Sequence, residues 1–509
     1  MESIEKTLFK AADKMRGAMD PGEYKHVALG LLFLRYVSEA FERTYEKLAE
    51  DELADENDPE EYLAENVFWV PEQARWKTLA ANAKDPKIGV MVDDAMRAIE
   101  ADNDALKDAL PKVFGRSSLD RSIVSGLIDL FSNIRFEGTD ADFDLIGRIY
   151  EYFIGEFASN EGKRGGEFYT PKSVVRTLVE MIEPMYGKLY EPCCGTGGFF
   201  VSDAKFIQAH AGRLEDVAIY GQERNPTTFQ LARMNLGIRG IFADIRWNAK
   251  GTLIDDAFPD ERFDFVLANP PFNDSDWSGE LVQEDVRWRF GAPPVNNANF
   301  AWIQHIYHHL NANGVAGIVM ANGSMSSMQS GEGDIRRAMV EADAVDAIVA
   351  LPGQLFFGTG IPACLWILAK NQSNGKAAGR DLRDRRGEVL FIDARQMSSL
   401  VPGSRKQKQF SEEEIAKIAY AYHAWRGEKG SDAYTDEHGF CRAASLEEIS
   451  SHNFILTPAR YVGTRAESSD TLSFEERFSE LQGLLAEQLA ENRAVEENVS
   501  AVLGISDAE

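Results

Sequence analysis

This chain of 509 residues has four cysteines, and two of them, Cys193 and Cys194, are adjacent. That is too few, and too badly spaced, for a disulfide framework or a zinc-binding set. No apolar run approaches the roughly 18 residues that cross a bilayer. The opening MESIEKTLFKAADKMRG holds no apolar stretch of the kind that directs secretion, so no leader is expected. Positive charge is also scarce: 54 Lys and Arg stand against 82 Asp and Glu, a formal net charge of −28. A chain this acidic does not by itself form a long basic groove for nucleic acid or adhere to an anionic membrane. These absences leave a globular protein of the reducing cytoplasm, with 44% hydrophobic residues to build its cores. Its length suits about three domains.

Residues 1–145 read as helical, and no strand is evident before residue 185. In DPGEYKHVALGLLFLRYVSEAFERTYEKLAE, Asp20 is placed to cap a helix with Pro21 at its first position. Val27, Leu31, Leu34 and Val37 then recur at helical spacing. The acidic EDELADENDPEEYLAEN that follows reads as a solvated loop or short helix. From 146 to 440 strands alternate with helices, the pattern of a parallel α/β sheet. KLYEPCC, VAIYGQE, FDFVLAN, GVAGIVMAN, VDAIVAL, ACLWILA and VLFIDA are the strands, several of them apolar throughout, as a sheet covered on both faces requires. Asn225-Pro226 caps a helix expected to run to Gly237. Residues 441–509 form a third region ending in a coiled-coil-like helix. There Phe474, Phe478, Leu481, Leu485, Gln488, Asn492, Val495, Val499 and Val502 step by four and three. Such a seam either packs on its own domain or pairs with a partner subunit.

Two turns carry chemistry. EPCCGTGG, 191–198, joins a strand to a helix through Gly195, Gly197 and Gly198, with Thr196 between them. Its spacing is neither the dinucleotide fingerprint nor a Walker loop. One strand later Glu223 ends VAIYGQE, where an acid accepts hydrogen bonds from ribose hydroxyls. A glycine turn with a ribose-binding acid implies an adenosine cofactor whose phosphates need no cradle. S-adenosylmethionine fits, with its methionine over the turn, its ammonium on Glu191 and its ribose on Glu223. Cys193 and Cys194 have no His near them in sequence to activate them and read as small buried hydrophobes.

The second turn is NPPF, Asn269, Pro270, Pro271 and Phe272, after the apolar strand FDFVLA. Two prolines end the strand and stiffen the loop. The Asn269 side-chain oxygen and the Pro270 carbonyl are two acceptors for the hydrogens of an exocyclic amine. Accepting them exposes the nitrogen lone pair, while Phe272 stacks on the base, worth about 1–3 kcal/mol. A base in a duplex reaches such a site only by flipping out. YHHL, 307–310, places adjacent histidines on different helix faces, with no acid at ligand spacing, and no metal is expected. SRKQK, 404–408, is either a solvated loop or a strip that touches backbone phosphate, and Gly358 and Gly360 mark a turn or mobile loop.

GGEFYTPKSVV, EPCCGTGGFF, LANPPFN and LPGQLFFGTGIPACLWIL together resemble the modification (methyltransferase, HsdM) subunit of type I restriction–modification systems. These are N6-adenine DNA methyltransferases, and the resemblance covers nearly the whole chain. It implies a Rossmann-like S-adenosylmethionine-dependent sheet behind an all-α N-terminal domain. It implies that Phe168, Tyr169 and Thr170 close over the cofactor carboxylate, with Thr170 also a natural helix N-cap before Pro171. Glu191, Gly195 and Gly197 would hold methionine, Glu223 the ribose, and Asn269 to Phe272 the target adenine. Relatives often carry G-[DN]-T-L after the third strand, near the cofactor's adenine; here KGTL, 250–253, lacks that polar side chain, and Asp244 is the expected substitute. The resemblance also implies partners: DNA, a specificity subunit carrying two copies of this chain, and a restriction/translocase subunit. A self-sufficient methyltransferase and a scaffold subunit are the rival readings.

Overall fold

The computed structural model describes residues 4–17, 19–134, 140–160, 170–210, 212–356, 362–373, 376–377, 380–402, 404, 406–463 and 482–483. It divides into two compact units, residues 1–462 and 463–509. The heptad seam of the second unit, and the Gly358 to Gly360 loop of the first, lie outside the described residues.

The sheet has nine strands: β1 (Gly187–Glu191), β2 (Val217–Glu223), β3 (Ala243–Trp247), β4 (Phe263–Ala268), β5 (Leu310–Ala321), β6 (Val345–Ala350), β7 (Ala363–Ala369), β8 (Glu388–Asp393) and β9 (Cys441–Ser445). Their spatial order is β9-β8-β6-β7-β5-β4-β1-β2-β3. From β3 to β5 every pairing is parallel, whereas β7 runs antiparallel between β5 and β6. The chain therefore reverses its direction of travel across the sheet between β1 and β4. In open α/β sheets a crevice opens at that point, outside the carboxyl ends of the strands.

Among the described residues the helical front consists of α1 (Ile4–Met15), α2 (Pro21–Ala49), α3 (Pro59–Ala64), α4 (Trp76–Ala81), α5 (Ile88–Asp102), α6 (Arg121–Ser132) and α7 (Asp140–Asn160). Asp20 caps α2 as expected, its side chain accepting from the Gly22 N–H. The short α3 sits within the acidic stretch, its side chains mostly exposed. Tyr150, Phe153 and Phe157 of α7 belong to the core of this helical domain, which runs past the expected limit at residue 145. Three further helices flank the first strands: α8 (Lys172–Ile182), α9 (Gly198–Ala209) and α10 (Pro226–Gly237). Leu231 and Met234 of α10 pack into the helical domain's core, and Arg233 donates to the carbonyls of Lys107 (2.9 Å) and Ala105. Asn225 caps α10 as expected. Gly237 is its last residue rather than a left-handed terminator, and a Cβ there would meet the Phe68 ring at 3.1 Å.

Later come α11 (Asn299–His309), α12 (Glu332–Glu341), α13 (Glu412–Arg426) and α14 (Leu446–Ser451). Strand β9, CRAAS, beyond residue 440, carries neither an apolar run nor a clear alternation, yet it pairs with residues 388–392 of β8. Beneath α13 a charge pair is sealed in the core. Arg385 Nε donates to Asp346 at 3.1 Å with both side chains at 0% exposure, and the Tyr422 hydroxyl donates to the other Asp346 oxygen at 2.7 Å. Asp346→Ala strands the guanidinium without its counter-charge, and we expect a loss of about 3–5 kcal/mol in urea unfolding. The double change Asp346→Leu with Arg385→Met should recover most of it, since it leaves no unpaired charge.

Candidate active site

Strand β1 delivers Glu191 to the crevice, and the chain turns at once into α9. Gly195 and Gly197 make this turn with φ of 54° and 76°, a left-handed backbone that glycine adopts without strain. The Cys194 N–H donates to the Gln222 carbonyl at 2.8 Å and ties the turn to β2. Glu223 ends β2 with both carboxylate oxygens engaged: Oε2 accepts from the Gly195 N–H at 3.0 Å and Oε1 from the Asn225 N–H at 2.7 Å. One acid thus braces the glycine turn and the start of α10, with a second lone pair on each oxygen left for a ligand.

Above these strand ends lies a cavity of about 1300 Å³. Of the residues expected at the site, Thr170, Glu191, Gly195, Thr196, Gly198, Glu223, Asn269 and Pro271 line it. Phe168 and Tyr169 lie outside the described residues. Pro270 is buried, and a Cβ on Gly197 would point at Leu236, 3.4 Å away. Phe272 is half-buried and stands edge-on to Phe356, 5.8 Å between ring centres.

Two expectations change. Asp244 is not at the cavity: it is the second residue of β3, away from the carboxyl end. It pairs with Arg246 on the same strand face at 2.7 Å, beside a separate cavity of about 400 Å³. Thr170 is not a helix cap, because Pro171 takes the cap position of α8. Its hydroxyl instead accepts from Asn269 Nδ2 at 2.9 Å. That contact spends the nitrogen end of the amide and leaves Asn269 Oδ1 buried with no hydrogen-bond partner.

Glu191 Oε2 is likewise buried and unpartnered, and so are both oxygens of Asp203 on α9. Burial, then the neighbouring Asp203 and Glu223, pushes the Glu191 carboxyl well above its usual range. Burial raises Asp203 and Glu223 too. Three buried acids around a glycine turn repel a pyrophosphate and favour a cation. The thiols of Cys193 and Cys194 are raised by burial and by Glu191 and Glu223, which disfavours a thiolate nucleophile at either.

Beyond Glu223, the loop after β3 lines the cavity with Lys250, Gly251, Thr252 and Leu253. Its conformation is locked from behind. Thr252 donates to the Pro192 carbonyl, and Arg287 donates to the Leu253 carbonyl at 2.6 Å while gripping Asp285 at 2.7 Å. Arg287 also donates to His305 Nδ1 at 3.0 Å. Asp256, His305 and His309 converge behind it. A metal-bound imidazole keeps an N–H for a carboxylate or carbonyl on its far side, whereas His305 meets a guanidinium there, so the cluster is a hydrogen-bonded brace. Burial holds His305 well below its ordinary pKa, hence neutral.

Sequence reasoning missed the walls. Trp277, Trp302 and the residues Gln409–Glu413 that lead into α13 also line the cavity. The Ser411 to Glu414 capping box was readable as a helix start, but nothing local says that this start closes a cavity formed 200 residues earlier.

The N-6 DNA Methylase family profile matches residues 141–470, and the HsdM N-terminal domain profile matches residues 4–131. The chain is 43% identical over 456 residues to the type I restriction enzyme HindI methylase subunit of Haemophilus influenzae, covering 86% of this chain and 99% of that one. It is 38% identical to the MjaIX methylase subunit of Methanocaldococcus jannaschii, covering 98% and 91%. The crystal structure of the type I restriction–modification methyltransferase subunit of Streptococcus thermophilus superposes with a TM-score of 0.72 at 27% identity, covering 91% of this chain and all of that one. Among the described residues no helix is long and apolar enough to cross a membrane. With its helical front, its mixed sheet and its NPPF turn at the switch point, this chain belongs to the N-6 DNA methylase family, among the methylase subunits of type I restriction enzymes.

Proposed function

We propose that the chain transfers a methyl group from S-adenosylmethionine to N6 of an adenine turned out of a DNA duplex, as the methylation subunit of a type I complex. The observation that carries this reading is a pair of orphaned acceptors on one cavity, Glu191 Oε2 and Asn269 Oδ1. One suits an ammonium and the other an aromatic amine.

Glu191, beside Asp203, takes the cofactor's ammonium. The turn from Gly195 through Thr196 and Gly197 to Gly198 lies along its methionine part, and Glu223 accepts from the ribose. The Lys172 and Ser173 N–H groups at the start of α8 suit the carboxylate, and Phe168, Tyr169 and Thr170 would close over it. When bound, the cofactor supplies an electrophilic sulfonium methyl. Asn269 Oδ1 and the Pro270 carbonyl accept the two N6 hydrogens and turn the lone pair toward that methyl. The new N–C bond forms as the C–S bond breaks, and the proton lost from nitrogen goes to water. Phe272 holds the base plane.

The net charge of −28 supports a division of labour in which a specificity subunit supplies base reading and most phosphate contacts. Two copies of this chain per specificity subunit, together with a restriction/translocase subunit, complete the assembly. Four free cysteines suit the reducing cytoplasm.

The test is methyl transfer from labelled cofactor into DNA, with the chain alone and with its specificity subunit. Activity only in the presence of that subunit is expected. Transfer by the chain alone would make it self-sufficient, and cofactor binding without transfer under either condition would make it a scaffold.

A further inference from the structure

A third orphan belongs to another residue that lines the same cavity. Trp302, near the start of α11, is 7% exposed and lines the wall. Its Nε1 has no hydrogen-bond partner. The other two tryptophans of its cluster are satisfied: Trp277 donates to the Pro294 carbonyl at 3.2 Å, and Trp288 to the Val282 carbonyl. An indole N–H can only donate. A buried donor left unmade is costly, so a ligand acceptor belongs in front of it.

Its position says which acceptor. Trp302 packs with Leu253, and Cys193 lies against the same cluster. It therefore backs the loop that follows β3 where that loop crosses to the end of β1. A ligand with its amino-acid end at Glu191 and its ribose at Glu223 has only its base left to reach this wall. The loop itself offers little there to read a base. Gly251 has no side chain, and at φ of 79° any Cβ would be strained and would meet Arg224 at 3.2 Å. Asp244 faces elsewhere. Asn269 stands at the end of β4, on the other side of β1 from Glu223.

Resting on the proposed cofactor, we propose that Trp302 is the residue that recognises the cofactor's adenine, its indole N–H donating to a ring nitrogen. The contact differs in kind from one made by an acidic side chain. A carboxylate accepts from the exocyclic amine, whereas Trp302 donates to the ring. Recognition by Trp302 therefore survives loss of the amine and fails when a ring nitrogen is replaced by carbon. Arg287, donating to the Leu253 carbonyl, holds the loop beside Trp302 in place.

Equilibrium binding of S-adenosylhomocysteine and of its 1-deaza, 3-deaza and 7-deaza analogues to the full chain tests this. Wild type should bind one deaza analogue about five- to tenfold more weakly than the parent, the range of one buried hydrogen bond. Trp302→Phe should bind the parent more weakly by a similar factor and lose the discrimination, the mark of direct coupling between the two groups. With the complete complex and DNA, its KM for cofactor should rise by a similar factor. The deaza series on wild type needs no variant, so a poorly folding Trp302→Phe does not obscure the result. Equal binding of all four ligands by wild type overturns the contact and leaves the function standing. A fall in kcat with unchanged cofactor binding assigns the indole to the target base and also overturns it. A wild-type chain that binds no adenosine ligand takes down the contact and the cofactor reading together.

Discussion

Asn269→Ala should lower kcat for methyl transfer by about a thousandfold while cofactor affinity stays within about twofold of wild type, because a preorganised hydrogen-bond group aimed at the reacting atom acts on the transition state. An aromatic amine is planar and its lone pair belongs to the ring. Only acceptors fixed ahead of time at its hydrogens move that pair toward the methyl. Asn269 is fixed: its Nδ2 is held by Thr170 at 2.9 Å and its Oδ1 has nothing else to accept. Asn269→Asp keeps an acceptor but loses the donor to Thr170, so it should retain more activity than the alanine variant. Single-turnover transfer at saturating cofactor, with the specificity subunit present, is the measurement. Alanine activity within about tenfold of wild type would show that the amide is not where the base is activated.

Glu191→Gln should weaken cofactor binding about a hundredfold near neutral pH, the scale of losing one partner of a buried charge pair. The change is nearly isosteric, so titration calorimetry reads the charge rather than a cavity. Wild-type affinity should also depend on pH. The Glu191 carboxyl is raised by burial and by Asp203 and Glu223, so at acid pH the free chain holds a proton that the ammonium must displace. Affinity rises with pH through that raised value, and Glu191→Gln flattens the curve. Folding stability moves the other way. A carboxyl whose folded pKa exceeds its unfolded one contributes stability below the unfolded value, and that contribution is lost as pH rises through the folded value. The ligand-free chain should therefore unfold at lower temperature as pH climbs above the ordinary carboxylate range, and the cofactor should offset the loss. A pH-independent dissociation constant would mean that Glu191 does not meet the ammonium.

Much of this was legible locally. The β1 and β4 strands ended where their terminal residues said, because proline cannot donate to a ladder and glycine alone turns without strain at Gly195 and Gly197. Asn225-Pro226 and Asp20-Pro21 began helices for equally local reasons, a side-chain acceptor beside a preset φ. Strand β9 escaped notice because CRAAS has no pattern of its own and is held by pairing with β8. Asp244 was misplaced for a related reason: proximity in sequence to KGTL says nothing about which end of β3 it occupies, and its partner Arg246 lies two residues on along the same strand face.

The sequence by itself determined the class of fold, the two turns that meet at the switch point and the side-chain types of Glu191, Glu223 and Asn269 that stand there, since backbone stereochemistry and side-chain type act over a few residues. Tertiary structure alone decided which polar atoms remain without partners. Thr170 reaches Asn269 across 99 residues, and Glu191 is crowded by Asp203 on the helix that follows it. Trp302 is orphaned while Trp277 and Trp288 are satisfied. Whether a donor or acceptor finds its match is settled by atoms far away along the chain, so only the folded chain leaves Glu191 Oε2, Asn269 Oδ1 and Trp302 Nε1 unmatched on residues that line one cavity.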